Sequence, residues 1–177
     1  MGTRRHPPVS NQPYFVTAAI KDRWPIFRNR LASEVMLGQL ERAREELDFA
    51  LLAFVLMPDH VHLIVVPSEA ADLSRIMQTI KGRFARLWNK RSGRDGGLWQ
   101  ERYYESAVRT EAQLQRWIEY IDQNPVKARL APAPEEFPYC SASGRLVTDL
   151  DAYLGGSWRS RAEARPSGIG RDSAAGA

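Results

Sequence analysis

Met57-Pro58-Asp59-His60-Val61-His62-Leu63-Ile64-Val65-Val66 sets two histidines, one bulky residue apart, at the mouth of an unbroken apolar run. Upstream, Leu51-Leu52-Ala53-Phe54-Val55-Leu56 is a second apolar run, with Pro58-Asp59 between the two as turn chemistry. Short apolar runs joined this way predict a buried β-hairpin. Side chains alternate across a strand, so His60 and His62 share one face and Val61 takes the other. Two imidazoles side by side on a rigid strand form half of a metal site; the alternative is a pair of structural histidines.

Working outward, the length of 177 residues suits one domain with a single substantial core. Apolar and charged contents of 44% and 26% are those of an ordinary globular protein. No apolar stretch is long enough to span a bilayer, and the basic, proline-containing start lacks a signal-peptide core, so no membrane partner is expected. The single cysteine, Cys140, excludes an internal disulfide and a thiolate zinc cluster, and makes the cytoplasm the expected compartment. A net charge of +4 and a pI near 9.5 fit a polyanionic partner.

Composition divides the chain into three parts. Residues 1–13 read as a flexible basic arm whose Arg4 and Arg5 can lie along a nucleic-acid backbone, or as a plain disordered terminus. Residues 14–130 hold the alternating elements. Residues 131–177, rich in Pro, Gly, Ser and Arg, read as a partly disordered tail with isolated anchors at Phe137, Tyr139, Tyr153, Leu154 and Trp158.

Within the central part, residues 14–20 are strand-like by aromatic and β-branched content. From Arg28 to Leu47 the apolar stripe of Leu31, Val35, Leu40, Ala43 and Leu47 predicts a helix. A second helix starts at Ala71 or Asp72 and runs to about Lys90 on Leu73, Ile76, Met77, Ile80, Phe84 and Leu87. Its polar face carries Arg75, Lys81, Arg83, Arg86, Lys90 and Arg91, either a solvated face or a phosphate-contacting one. A last strand ends near Val108; Trp99, Tyr103 and Tyr104 beside Arg102 are core residues or stack on unpaired bases. Thr110 with Gln113 reads as a capping box opening a third helix. Leu114, Trp117, Ile118 and Ile121 face inward there, Tyr120 lies at the edge of the stripe, and Asn124 follows one turn later. Pro125 is expected to end this helix, with Lys127 and Arg129 just beyond.

The order strand, helix, strand, strand, helix, strand, helix predicts an α+β fold, a split βαβ sandwich of the ferredoxin and RRM kind. Its antiparallel sheet would carry helices on one face and the His60/His62 strand at its centre, with an extended C-terminal tail. Three segments resemble a known family: residues 56–63, Trp99-Gln100-Glu101-Arg102-Tyr103-Tyr104-Glu105, and Tyr120-Ile121-Asp122-Gln123-Asn124-Pro125-Val126-Lys127-Ala128. Together they are similar to the IS200-type single-tyrosine (HUH) transposases, and more narrowly to the REP-associated branch with its Tyr-Ile-x-x-Asn-Pro-Val-Lys signature. The likeness covers about Tyr14 to Leu130.

The resemblance implies a DNA transposase that cleaves single-stranded DNA beside a hairpin and rejoins it. His60 and His62 would bind one Mg²⁺ or Mn²⁺, with Asn124 as third ligand. Tyr120 would attack the phosphate, leaving a 5′-phosphotyrosine and a free 3′-hydroxyl. Arg83, Arg86, Arg102 and Lys127, with Arg4 and Arg5, are the candidate DNA contacts. The family leaves monomer and homodimer both open. The alternative is a non-catalytic, RRM-like nucleic-acid-binding module, which needs exposed aromatics on its central strands.

Overall fold

The computed structural model describes residues 12–156. Strands β2 (Ala50–Met57) and β3 (His60–Val66) are the two apolar runs, joined at Pro58-Asp59. β1 (Tyr14–Ala19) and β4 (Tyr104–Ala107) complete a four-stranded antiparallel sheet in the order β2-β3-β1-β4. β3 is therefore central, flanked by β1 and β2.

Helices α1 (Arg30–Leu47) and α2 (Leu73–Ser92) supply the apolar stripes seen in the sequence. Each begins where a side-chain oxygen replaces a missing backbone acceptor. Asn29 accepts from the Leu31 N–H at 2.9 Å and Asp72 from the Arg75 N–H at 2.7 Å, the usual satisfaction of orphan donors. Both helices cover one sheet face, burying Val16, Ala18, Phe54, Leu56, Val61, Leu63 and Val65 beneath Met36, Leu40, Ile76, Ile80 and Phe84.

The second face is covered too, which departs from the one-sided sandwich expected from the sequence. Helix α3 (Glu111–Lys127) lays Leu114 and Ile121 over Phe15, Val55, Met57, Ile64 and Val66. The reason is visible in β2 and β3, which are buried on both sides; a sheet apolar on two faces needs two covers. A bulge at Leu52 places both Leu52 and Ala53 on the second face, as an extra residue in one strand must.

The segment from Ala131 folds into short helical turns at Pro134–Glu136 and Ser141–Ser143 and a short helix, α4 (Leu150–Leu154), and through Gly156 it is bound to the sheet. Leu56 donates its N–H to the Tyr139 carbonyl at 2.9 Å, Val55 bridges to Cys140, and Asp149 N–H donates to the Leu51 carbonyl at 2.8 Å. These bonds occupy the otherwise free edge of β2, an edge that would template foreign strands if left bare. Cys140 is wholly buried in the second-face cluster, against which Phe137 and Tyr153 also pack. Among the described residues no helix is long and apolar enough to cross a membrane.

Asp149 is the pin of this strap. Its carboxylate accepts from Arg44 at 2.6 Å and from the Leu51 N–H at 2.9 Å, with both charged side chains mostly buried. Asp149→Ala strands a shielded guanidinium and a backbone donor, so it should cost about 3 kcal/mol in equilibrium urea unfolding. A loss below about 0.5 kcal/mol would mean that the strap is held by its apolar anchors alone.

Candidate active site

Alternation along β3 puts His60 and His62 on the second face, in register with Ala19 and Thr17 of β1 and with Met57 and Val55 of β2. Thr17 Oγ1 lies 2.8 Å from His62 Nδ1, and the Asp59 carboxylate lies 2.5 Å from His60 Nδ1. An ionised carboxylate only accepts, so His60 Nδ1 donates. With the outer nitrogens so engaged, the two Nε2 atoms turn towards each other at 3.1 Å. Asp59 also meets Arg23 at 3.5 Å.

His62 is 4% exposed. Burial foremost, then the charges of His60 and Arg23, push its pKa down to about 3. Its ring therefore stays neutral at physiological pH, with a lone pair to give.

Helix α3 brings Tyr120 to this pair, its ring centroid 5.3 Å from that of His62 at 68°. Phe15 is the floor beneath both. It stacks on Trp117 at 3.8 Å and 10°, lies under His62 at 5.4 Å, and takes the Tyr120 ring edge-on at 5.9 Å. Trp117 flanks Tyr120 at 5.7 Å. Such contacts restrict the tyrosine ring on its buried side, while the residue as a whole remains 38% exposed. That leaves it open to a strand from solvent.

Pro125 does not end α3, contrary to the sequence expectation; the helix continues to Lys127 with Pro125 inside it. The proline lacks the N–H that would reach the carbonyl one turn back, but its φ suits a helix. The Asn124 side-chain amide donates to the Tyr120 carbonyl at 2.8 Å. Continuation matters because Lys127 then sits two turns from Tyr120 on the same side. Its Nζ stands 5.9 Å from the Tyr120 ring centroid.

Two of the other basic candidates are placed apart from this centre. Arg83 and Arg86 belong to α2, on the opposite sheet face, and Arg83 is ion-paired with Glu46 of α1. Arg102 is exposed just before β4. Arg4 and Arg5, like Trp158, lie outside the described residues. Of the three aromatics near β4, Trp99 is buried, Tyr103 is half-buried beneath Lys81, and Tyr104 is exposed edge-on to Phe15.

Sequence reasoning missed Thr17, Arg23 and Phe15 as parts of this centre. Only the pairing of β1 with β3 brings the first and last to His62, and that pairing is long-range. The Pro25 loop gave no sign that Arg23 returns to Asp59.

A tyrosine docked on a histidine pair, over an antiparallel sheet, defines a DNA-processing class once relatives are compared. Residues 8–124 match the family described as "Transposase IS200 like", and the chain belongs to that family. It is a DNA-cleaving transposase. It is similar to a Haemophilus influenzae protein provisionally named a REP-associated tyrosine transposase, with 28% identity covering 72% of this chain and 78% of the relative. An Escherichia coli K12 REP-associated tyrosine transposase is 23% identical over 74% of this chain and 76% of its own. A solved REP-associated tyrosine transposase bound to a REP hairpin shares the fold, with a TM-score of 0.68 and 22% identity. That match covers 81% of this chain and 84% of the solved one.

The neutral, buried His62 carries a pH signature. Its folded pKa lies below the ordinary 6.5, so the unfolded chain binds the extra proton first and stability falls as pH drops from about 6.5 towards 3. With chelator present, urea midpoints over this window should fall less steeply in His62→Gln than in the wild type. Identical slopes would place the ring in water.

Proposed function

We propose that the protein is a metal-dependent single-tyrosine nuclease and strand-transferase of the REP-associated kind. Its substrate would be single-stranded DNA next to a small hairpin. The observation that carries this reading is the approach of Tyr120 to His62, 5.3 Å between rings, with the His60 and His62 Nε2 atoms converging at 3.1 Å. The hairpin rests on the likeness to a REP-associated transposase solved with one and on the two similarly named relatives.

The residues fit a divalent cation. Adjacent ligands of a metal with bonds of about 2.1 Å stand about 3 Å apart, the spacing of the two Nε2 atoms. Thr17 and Asp59, holding the Nδ1 atoms, are the outer partners that orient ligating imidazoles. Among the described residues, no group of three or more His, Cys, Asp or Glu side chains is arranged to hold a metal ion. Mg²⁺ or Mn²⁺ would take its remaining donors as oxygens, for which the Asn124 amide oxygen and the substrate phosphate are the candidates. When bound, the cation withdraws charge from a phosphate oxygen.

The chain's own residues do the rest. His60 and His62 would hold the cation against β3, while Phe15 and Trp117 aim the Tyr120 ring. The Tyr120 oxygen bonds to phosphorus, the P–O3′ bond breaks, and the departing 3′-oxygen takes up a proton while the phenol loses one. Rejoining is the reverse attack of a 3′-hydroxyl on the phosphotyrosine, which needs no outside energy. Lys127, beside the ring, is the nearest candidate for a phosphate contact from α3. Arg102 and Tyr104 border the strand's path, with Arg4 and Arg5 in the preceding arm, whereas Arg83 and Arg86 can serve only a remote part of the DNA.

One chain holds both the histidines and the tyrosine, which favours a monomer acting in cis over a homodimer. A DNA substrate and a single free, buried thiol fit a cytoplasmic enzyme. The binding-module alternative loses support because the aromatics and histidines of the central strands, Phe15 and His62, are covered by α3.

The test is denaturing-gel detection of covalent adducts with single-stranded hairpin oligonucleotides from the gene's flanks. Wild type with Mg²⁺ or Mn²⁺ should form an adduct; Tyr120→Phe should form none, and His62→Ala should fall at least about 100-fold. Binding without any adduct would support the module instead.

A further inference from the structure

Arg23 sits in a costly backbone. Asp22 and Arg23 are consecutive non-glycine residues in the left-handed region, at φ 55° and 54°. Such conformations cost about 1 kcal/mol or more each and persist only where the surroundings impose them. Here they do. Ile20 N–H donates to the Asp59 carbonyl at 2.8 Å, Lys21 N–H to the Leu98 carbonyl at 2.9 Å, and Phe27 N–H to the Pro58 carbonyl at 2.9 Å. The loop is thus laced to the hairpin turn that precedes His60.

That lacing delivers a cation to a site built to receive another cation. Arg23 Nη1 stands 3.5 Å from Asp59, whose other oxygen holds His60. The contact is too long for a good hydrogen bond, and the Arg23 side chain is 58% exposed. Most of its five donors therefore face solvent. The Asp59 carboxylate offsets a single positive charge, so a guanidinium and a divalent cation about the histidine pair would leave an excess positive charge that a phosphate anion can meet. On the far side of the centre, Lys127 covers Tyr120, so positive charge stands at both ends of the His–Tyr cleft.

We propose that Arg23 is a phosphate-binding residue of the cleavage reaction, gripping the non-bridging oxygens of the phosphodiester presented to Tyr120 from the His60 side. The planar fork of arginine suits paired phosphate oxygens, which lysine cannot imitate. Asp59 then has two duties, orienting His60 and tethering Arg23 until the strand arrives. This inference rests on the nuclease reading above.

The experiment uses the full chain with a single-stranded hairpin oligonucleotide and Mn²⁺. Arg23→Asn removes the charge while keeping a residue tolerant of the left-handed region; Arg23→Lys keeps the charge without the fork, and thermal melts confirm folding of both. Arg23→Asn should slow single-turnover adduct formation about 100-fold and reduce the salt slope of DNA binding by about one. Arg23→Lys should restore the slope but little of the rate. A methylphosphonate at the scissile position, bound in chelator, should weaken the wild type and leave Arg23→Asn no further loss. A wild-type adduct with unchanged rate and slope in Arg23→Asn, or additive losses with the methylphosphonate, would overturn the assignment alone. No adduct from the wild type would overturn the nuclease reading and this inference with it.

Discussion

The two-residue repeat of β3 governs everything built on it. Each odd-numbered side chain from Val61 to Val65 enters the core with α1 and α2, and each even-numbered one faces α3. A slip of one position would bury the histidines under α2 and expose valines to α3. Pairing on both sides, with β1 and β2, holds that register. The two imidazoles are consequently as rigid as the sheet, which is what a pair of converging nitrogens requires.

Onto this fixed pair the chain brings a helix. Helix α3 carries the tyrosine at the margin of its apolar stripe, neither buried nor free. The aromatic floor of Phe15 and Trp117 turns a marginal position into a defined one. The C-terminal strap adds a second hold, since Cys140 and Ser141 both approach the Asp122 carboxylate, two residues past Tyr120. Burial raises the Asp122 pKa, partly offset by those two donors, and burial pushes the Cys140 thiol up to about 12. The thiol is thus a packing group and not a nucleophile.

Much of this was legible beforehand. The hairpin, the shared face of His60 and His62, the cap at Thr110, the start of α2 at about Asp72 and the inward stripe of α3 follow from local pattern. What escaped was either long-range or a local rule overruled by packing. Thr17 cannot be matched to His62 without knowing that β1 pairs with β3. Pro125 signals a helix end by local sterics, yet it is buried within α3 and the helix runs on to Lys127. The segment after Ala131 read as a tail with isolated apolar anchors because its composition is polar and broken by prolines, while the backbone hydrogen bonds that hold it to β2 are revealed by no composition. Two-sided coverage was readable in principle, from strands apolar at every position.

The separation of α2 from the histidine face has a bearing on how DNA is captured. The arginines of α2 stand beyond the sheet and the helix itself, more than about 10 Å from the cleft. At physiological salt that exceeds the screening length of about 8 Å. Under the nuclease reading proposed above, the part of that charge that Glu46 does not neutralise would act in the approach of the polymer and fade with added salt, while the grip on a docked strand would fall to the few cations of the cleft. Encounter and commitment would then fall to opposite sides of one sheet, each open to change without disturbing the other.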